Sequence, residues 1–190
     1  MLGLDRRYRL ELVKQSGYSG PLGPILEMNA ERMTFPDASF DFVLSVSVFE
    51  HLPDIVSVIT EIRRVLRPGC IAAIITHIYT SDSGIHDPRL FGDRFGLPYW
   101  SHLRPGLQHN VSRNSYLNEL RLDEYRAAFK AEWPGAVFEN FAAGTAERAA
   151  LSDIRAGGEL ADYSEEELLT NALFTLWRKP GSSSTDGTTA

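Results

Sequence analysis

Ser39-Phe40-Asp41-Phe42-Val43-Leu44-Ser45-Val46-Ser47-Val48 is a mostly apolar run whose length suits a strand covered on both faces. Beyond it the period changes. From Asp54 the apolar positions Ile55, Val58, Ile59, Ile62, Val65 and Leu66 recur at three- and four-residue steps, with Glu61, Arg63 and Arg64 on the other side. That pattern predicts an amphipathic helix with Asp54 as its cap. Arg67-Pro68-Gly69 then supplies a cation, a breaker and a flexible residue to end it. Cys70-Ile71-Ala72-Ala73-Ile74-Ile75 is a second buried run. Strand, helix and strand make one parallel crossover unit, which sets the class as α/β.

Working outward, Met1-Leu2-Gly3-Leu4-Asp5 reads as the end of a strand and Pro24-Ile25-Leu26-Glu27-Met28-Asn29 as another, with a short helix through Tyr8, Leu12 and Val13 between them. Downstream, Leu122, Tyr125, Ala128, Phe129 and Trp133 mark an amphipathic helix starting at Asp123, followed by a strand at Ala136-Val137-Phe138-Glu139-Asn140-Phe141. Ser164-x-x-Glu167 is a capping box, and Ala172-Leu173-Phe174-Thr175-Leu176-Trp177 a final apolar strand. Between about residues 77 and 118 the periodicity gives way to Gly, Pro, His, Asp, Trp and Asn. A stretch of that length inside one domain, here residues 1–179, reads as a substrate or lid insertion. Residues 180–190 carry no large apolar anchor and are expected to be disordered.

Composition narrows the functional classes. The 190 residues, 43% hydrophobic, fill one ordinary domain and exclude whole-chain disorder. Nineteen basic against 25 acidic residues leave a net charge of −6, without the positive excess that neutralising a nucleic-acid backbone requires. One cysteine, Cys70, excludes an internal disulfide and a cysteine-based zinc site, and is expected to be a small buried hydrophobe. No run approaches the roughly 20 apolar residues of a membrane span, and Gly3, Asp5, Arg6 and Arg7 follow Met1 where a signal peptide would place its apolar core. The expected location is cytoplasmic.

The stretch Asn29-Ala30-Glu31-Arg32-Met33-Thr34-Phe35-Pro36-Asp37-Ala38-Ser39-Phe40-Asp41-Phe42-Val43 resembles the middle of a class I S-adenosylmethionine-dependent methyltransferase of the small-molecule type. Val48-Phe49-Glu50-His51-Leu52-Pro53-Asp54 resembles the segment after that family's fourth strand. Glu61 to Gly69 resembles the following helix and turn, and Trp177-Arg178-Lys179-Pro180 the close of the last strand. The resemblance implies a Rossmann-like, mostly parallel sheet of order 3-2-1-4-5-7-6 with an antiparallel last strand. It also implies S-adenosylmethionine as cofactor and a small-molecule methyl acceptor.

By the same resemblance Asp5 would bind the cofactor's ribose, since an acid at the carboxyl end of such a strand can accept both hydroxyl protons; a helix cap is its other reading. Asn29 and Ala30 would meet the adenine edge, although the family more often has Asp where Asn29 stands, and a turn-forming Asn is the alternative. Phe35, Phe40 and Phe42 are expected in the core or the cofactor-pocket wall. Ser45 and Glu50 complete the expected cofactor side. His51 faces the methyl-transfer site or orients its loop, and His77, directly after a sheet strand, is the best-placed general base, with His86, His102 and His109 as further candidates. Tyr79, Tyr99 and Trp100 can stack on an acceptor or pack as a lid. No metal ligand set is expected.

In this family a glycine-rich turn precedes the segment that here is Gly3-Leu4-Asp5. Gly17-Tyr18-Ser19-Gly20-Pro21-Leu22-Gly23 follows a helix and precedes a strand, so it reads as a connection. The fold is therefore expected to be N-terminally truncated, lacking its first strand and helix: a fragment, a smaller sheet, or a sheet that a partner chain completes. Cofactor binding is expected to be weak. Self-association through open sheet edges and a non-catalytic interaction role are the alternatives this leaves. A nicotinamide-dependent oxidoreductase is disfavoured, because no G-x-G-x-x-G is present.

Overall fold

The computed structural model describes residue 24 and residues 26–91, 94–113 and 115–181. Within them the chain runs β1 (Phe40–Val46), α1 (Ile55–Val65), β2 (Leu66–His77), α2 (Leu122–Glu132), β3 (Val137–Ala142), α3 (Thr145–Ala156), α4 (Glu165–Leu168) and β4 (Thr170–Arg178). β1 and β2 are parallel, β4 lies antiparallel between β2 and β3, and the sheet order is β1-β2-β4-β3. This corresponds to the 4-5-7-6 half of the expected order, with the antiparallel last strand in its place. The strand at Met1–Asp5, the short helix through Tyr8, Leu12 and Val13, the glycine-rich connection and residues 182–190 of the tail lie outside the described residues.

α1 begins where its cap dictates: Asp54 Oδ1 accepts from the Ser57 amide at 3.0 Å and Oδ2 from the Ser57 hydroxyl at 2.6 Å. Its other end is held by Lys179, whose ammonium donates to the Arg63 and Leu66 carbonyls at 2.7 and 2.6 Å. α2 starts at Leu122, with Glu124 reaching back to the Arg121 amide at 2.7 Å, so Asp123 sits inside the first turn rather than at its start. The capping box at α4 forms as expected, Ser164 Oγ accepting from the Glu167 amide and Glu167 Oε1 from the Ser164 amide. Cys70 lies in β2, half-buried against the core.

α1 and α2 cover one face of the sheet. Ile59, Leu66, Ile74, Leu173, Tyr125 and Phe129 are buried there, and the Trp133 and Trp177 rings stack at 5.0 Å. On the opposite face Phe42, Leu44 and Val46 of β1 remain exposed, Leu44 at 59%. Register places them beside Ile71, Ala73 and Ile75, and then Leu176 and Phe174, so an apolar sheet face is left without a helical layer among the described residues. A smaller cluster of Trp100, Leu103, Leu151, Leu160, Leu168 and Leu169 ties the irregular insertion to α3 and α4.

Two expectations are corrected. Residues 24 and 26–29 form no strand. Pro24 lacks an amide hydrogen to give to a ladder, and among the described residues no strand pairs with this segment. α3 was not anticipated in Thr145–Ala156, because only Leu151 of its twelve residues is buried and the apolar repeat is correspondingly faint.

Candidate functional site

Two neighbouring features lie at the end of β1, and each gathers residues that the sequence singled out. The first is a cleft of about 330 Å³ against β1, walled by Ala30, Met33, Phe35, Phe40, Phe42, Leu44, Val48 and Phe49 among others, with Ser45 supplying a hydroxyl. Ala30 and Ser45 thus come together. The loop bearing Ala30 is fixed by Arg64, whose guanidinium donates to the Met33 and Phe35 carbonyls at 2.9 and 2.7 Å while holding Glu61 and Asp37. Glu61 in turn accepts from the Met33 amide at 2.7 Å. Those carboxylates raise the Arg64 pKa further, so this clamp keeps its charge at any working pH.

Asn29 takes its alternative role. Its side-chain oxygen accepts from the Glu31 amide at 2.9 Å, an Asx turn at an exposed position. Asp5 lies outside the described residues, so the juxtaposition of Asp5 and Asn29 does too.

The second feature is a cluster at the carboxyl ends of β1 and β2, the edge at which open α/β sheets take their ligands. Ser47 has left-handed backbone (φ +53°), its amide donates to Ile75 O at 2.9 Å, and its hydroxyl lies 3.3 Å from His77 Nε2. The next turn, Phe49–His51, carries Glu50 inward: it is 3% exposed, and neither carboxylate oxygen has a hydrogen-bond partner among the described residues. Burial pushes the Glu50 carboxyl above the ordinary carboxylate range.

His51 Nδ1 lies 2.8 Å from the Tyr116 carbonyl oxygen. A carbonyl only accepts, so Nδ1 carries a proton, and Nε2 lies 3.9 Å from Glu50 Oε1. His86 Nε2 is also 3.9 Å from that oxygen, and is buried without a partner. The His86 ring contacts those of His51 and His77 edge-on, with centroids 4.9 and 5.5 Å away. Burial, followed by the neighbouring His51 and His77, holds the His86 pKa down to about 4.

His51, His77 and Glu50 therefore converge, joined by His86 from the insertion. His102 is a packing residue: it is buried, with Nε2 donating to Tyr79 O at 2.8 Å. His109 is exposed and stands outside the cluster. Trp100 is fully buried, so it packs the insertion and offers no stacking face, whereas Tyr79 lines a separate cleft of about 530 Å³ with Arg113 and Glu119.

Asn118 is the residue that sequence reasoning missed. Its side-chain amide donates to the Phe49 and Leu52 carbonyls at 2.8 and 3.0 Å, and its oxygen accepts from the Tyr125 hydroxyl at 2.9 Å. These bonds clamp the Glu50-His51 turn to α2, and the only sequence signal was an Asn at the end of an irregular stretch.

Residues 2–74 match the family model described as a methyltransferase domain. The chain is 44% identical over 55 residues to the sterol 24-C-methyltransferase ERG6B of Gibberella zeae, covering 27% of this chain and 14% of that protein. It is 42% identical over 57 residues to the demethylmenaquinone methyltransferase of Bacillus velezensis, covering 30% and 24%. The chain thus spans a quarter or less of these curated relatives. Among solved structures, a putative sarcosine dimethylglycine methyltransferase from Galdieria sulphuraria superposes with a TM-score of 0.50 at 21% identity, over 94% of this chain and 67% of that one.

Proposed function

We propose that this chain transfers a methyl group from S-adenosylmethionine to a small molecule, a reading supported by the match of residues 2–74 to a methyltransferase domain and by the fold. The observation that carries the reading is the adjacency of an apolar cleft containing Ala30 and Ser45 to a histidine cluster at the same sheet edge. The cleft fits the cofactor's base, whose faces are apolar, and Ser45 gives it one hydrogen-bonding group. Bound there, S-adenosylmethionine supplies a methyl group on a positively charged sulfur.

His77 is the group that takes the acceptor's proton. It stands at the end of β2 with its Nε2 3.3 Å from the Ser47 hydroxyl, and an imidazole is the side chain most often used for such proton transfer. When an acceptor oxygen or nitrogen takes up that methyl group, its proton would pass to His77. His51, fixed by Tyr116 O, orients the far wall, and Glu50 keeps it polar. Alignment of the two reactants supplies most of the acceleration. The names of the Gibberella zeae and Bacillus velezensis relatives favour a largely apolar acceptor.

Release of S-adenosylhomocysteine in the presence of a panel of hydroxylated apolar acceptors tests the reading. Acceptor-dependent release that falls about 100-fold or more in His77→Gln, with cofactor affinity retained, is the expected result. Equal rates in the two proteins contradict the assignment of His77.

The second reading, an interaction protein, draws on one observation: the exposed apolar face of β1. It differs from the first in needing no cofactor at all.

A further inference from the structure

We propose that Glu50, His51 and His86 form a binding site for one divalent first-row transition ion, with Zn2+ the best match to the donor set. The three donor atoms all lie within 4.8 Å of one another, and no ion occupies their centre. Glu50 is 97% buried, counted from its 3% exposure, and both of its carboxylate oxygens lack a hydrogen-bond partner. His86 Nε2 is buried and unpartnered as well. The 3.9 Å separations between Glu50 Oε1 and each imidazole Nε2 are too long for hydrogen bonds, so the three lone-pair donors face one another across a gap. Such a convergence costs free energy when empty and is stabilised by a cation.

Two further features match a metal site. His51 spends Nδ1 on the Tyr116 carbonyl, which fixes the tautomer and aims Nε2 inward, the outer-shell arrangement that ligating histidines adopt. Tetrahedral bonds of about 2.0–2.1 Å set donor atoms about 3.4 Å apart, so the two 3.9 Å Glu50–imidazole separations close with a shift of about half an ångström, and the third lies within 4.8 Å. Two imidazoles and one carboxylate leave a position open in a tetrahedral set, and His77, with its Ser47 partner, adjoins the His86 ring at 5.5 Å between centroids. The ion would serve as a Lewis acid for an acceptor oxygen, but its binding needs neither cofactor nor acceptor, so it goes beyond the methyl-transfer reading.

The test is a titration of the chelator-stripped full chain with Zn2+ against a chromophoric chelator. The expected result is one equivalent bound per chain, with affinity lowered at least tenfold in Glu50→Gln and in His86→Ala, and unchanged in His109→Ala. In parallel, ring-nitrogen NMR of the unsubstituted protein should show Zn2+ moving the Nε2 signals of His51 and His86 while those of His102 and His109 stay put. Absence of stoichiometric binding, equal affinity in Glu50→Gln, or Zn2+ shifts confined to His109 would each overturn the proposal. The NMR arm stands even where a variant fails to fold.

Discussion

Ser47 and His77 meet across the carboxyl ends of two parallel strands, hydroxyl to Nε2 at 3.3 Å, so the residue that leaves β1 holds the ring that ends β2. If His77 is the proton acceptor, its orientation depends on this contact. Ser47→Ala is expected to cost no more than about 1 kcal/mol of stability, since one partly exposed hydrogen bond is lost. It should nevertheless lower the methyl-transfer rate about tenfold with KM little changed. Steady-state kinetics beside thermal melts check this, and a loss of stability with an unchanged rate would make Ser47 a structural residue only.

His102 makes the fold acid-sensitive. Burial holds its pKa down to about 4, against the Tyr79 carbonyl, Asp82 and Glu119, which favour the charged ring, and with Arg113, which opposes it. A depressed imidazole contributes stability that is complete above its ordinary value near 6.5 and is lost as pH falls toward 4. Urea unfolding at pH 7 and pH 5 should therefore show a smaller drop in His102→Gln than in the unsubstituted chain. Equal drops would contradict the assignment.

Asp82 organises the insertion from within. It is 5% exposed, accepts from the Trp100 amide at 2.7 Å and pairs with both terminal nitrogens of Arg94. Asp82→Ala leaves the buried Trp100 amide without its acceptor and the Arg94 guanidinium without its carboxylate, at a cost of about 3–5 kcal/mol. Limited proteolysis should then cut between residues 77 and 118 well before the sheet is attacked. Resistance equal to that of the unsubstituted protein would show that the second cluster holds the insertion without Asp82.

The exposed face of β1 carries a colloidal consequence. Phe42, Leu44 and Val46 are 55%, 59% and 49% exposed and contiguous, and β1 is paired on one side only among the described residues. Patches and edges of this kind promote association. Leu44→Lys should shift sedimentation toward the monomer at micromolar concentration. Association that is independent of this substitution would place the contact elsewhere.

How much of this was legible beforehand follows the range of the interactions. β1, α1 and β2 were readable because Asp54, the Ile55-to-Leu66 periodicity and Gly69 are local signals, and each made the bond or turn its chemistry calls for. The meeting of His51 and His77 followed from their places at adjacent strand ends. The arrival of His86 did not, since it depends on a tight turn at Asp82–Ile85, where a Cβ added at Gly84 would stand 2.7 Å from the Tyr79 backbone. Asn118 was invisible for the same reason: its partners lie 66 and 69 residues away. Residues 24 and 26–29 form no strand, and Pro24 has no amide hydrogen to give to a ladder.

The central claim, that the cleft beside β1 holds the adenosine part of the cofactor, is tested most directly by backbone NMR during a titration with S-adenosylhomocysteine, a method that registers weak binding as well as tight. The expected outcome is saturable shifts at Ala30, Ser45 and Val48, with the distant cleft around Arg148 and Glu165 unaffected. Shifts confined to that distant cleft, or none at all at millimolar ligand, would contradict it.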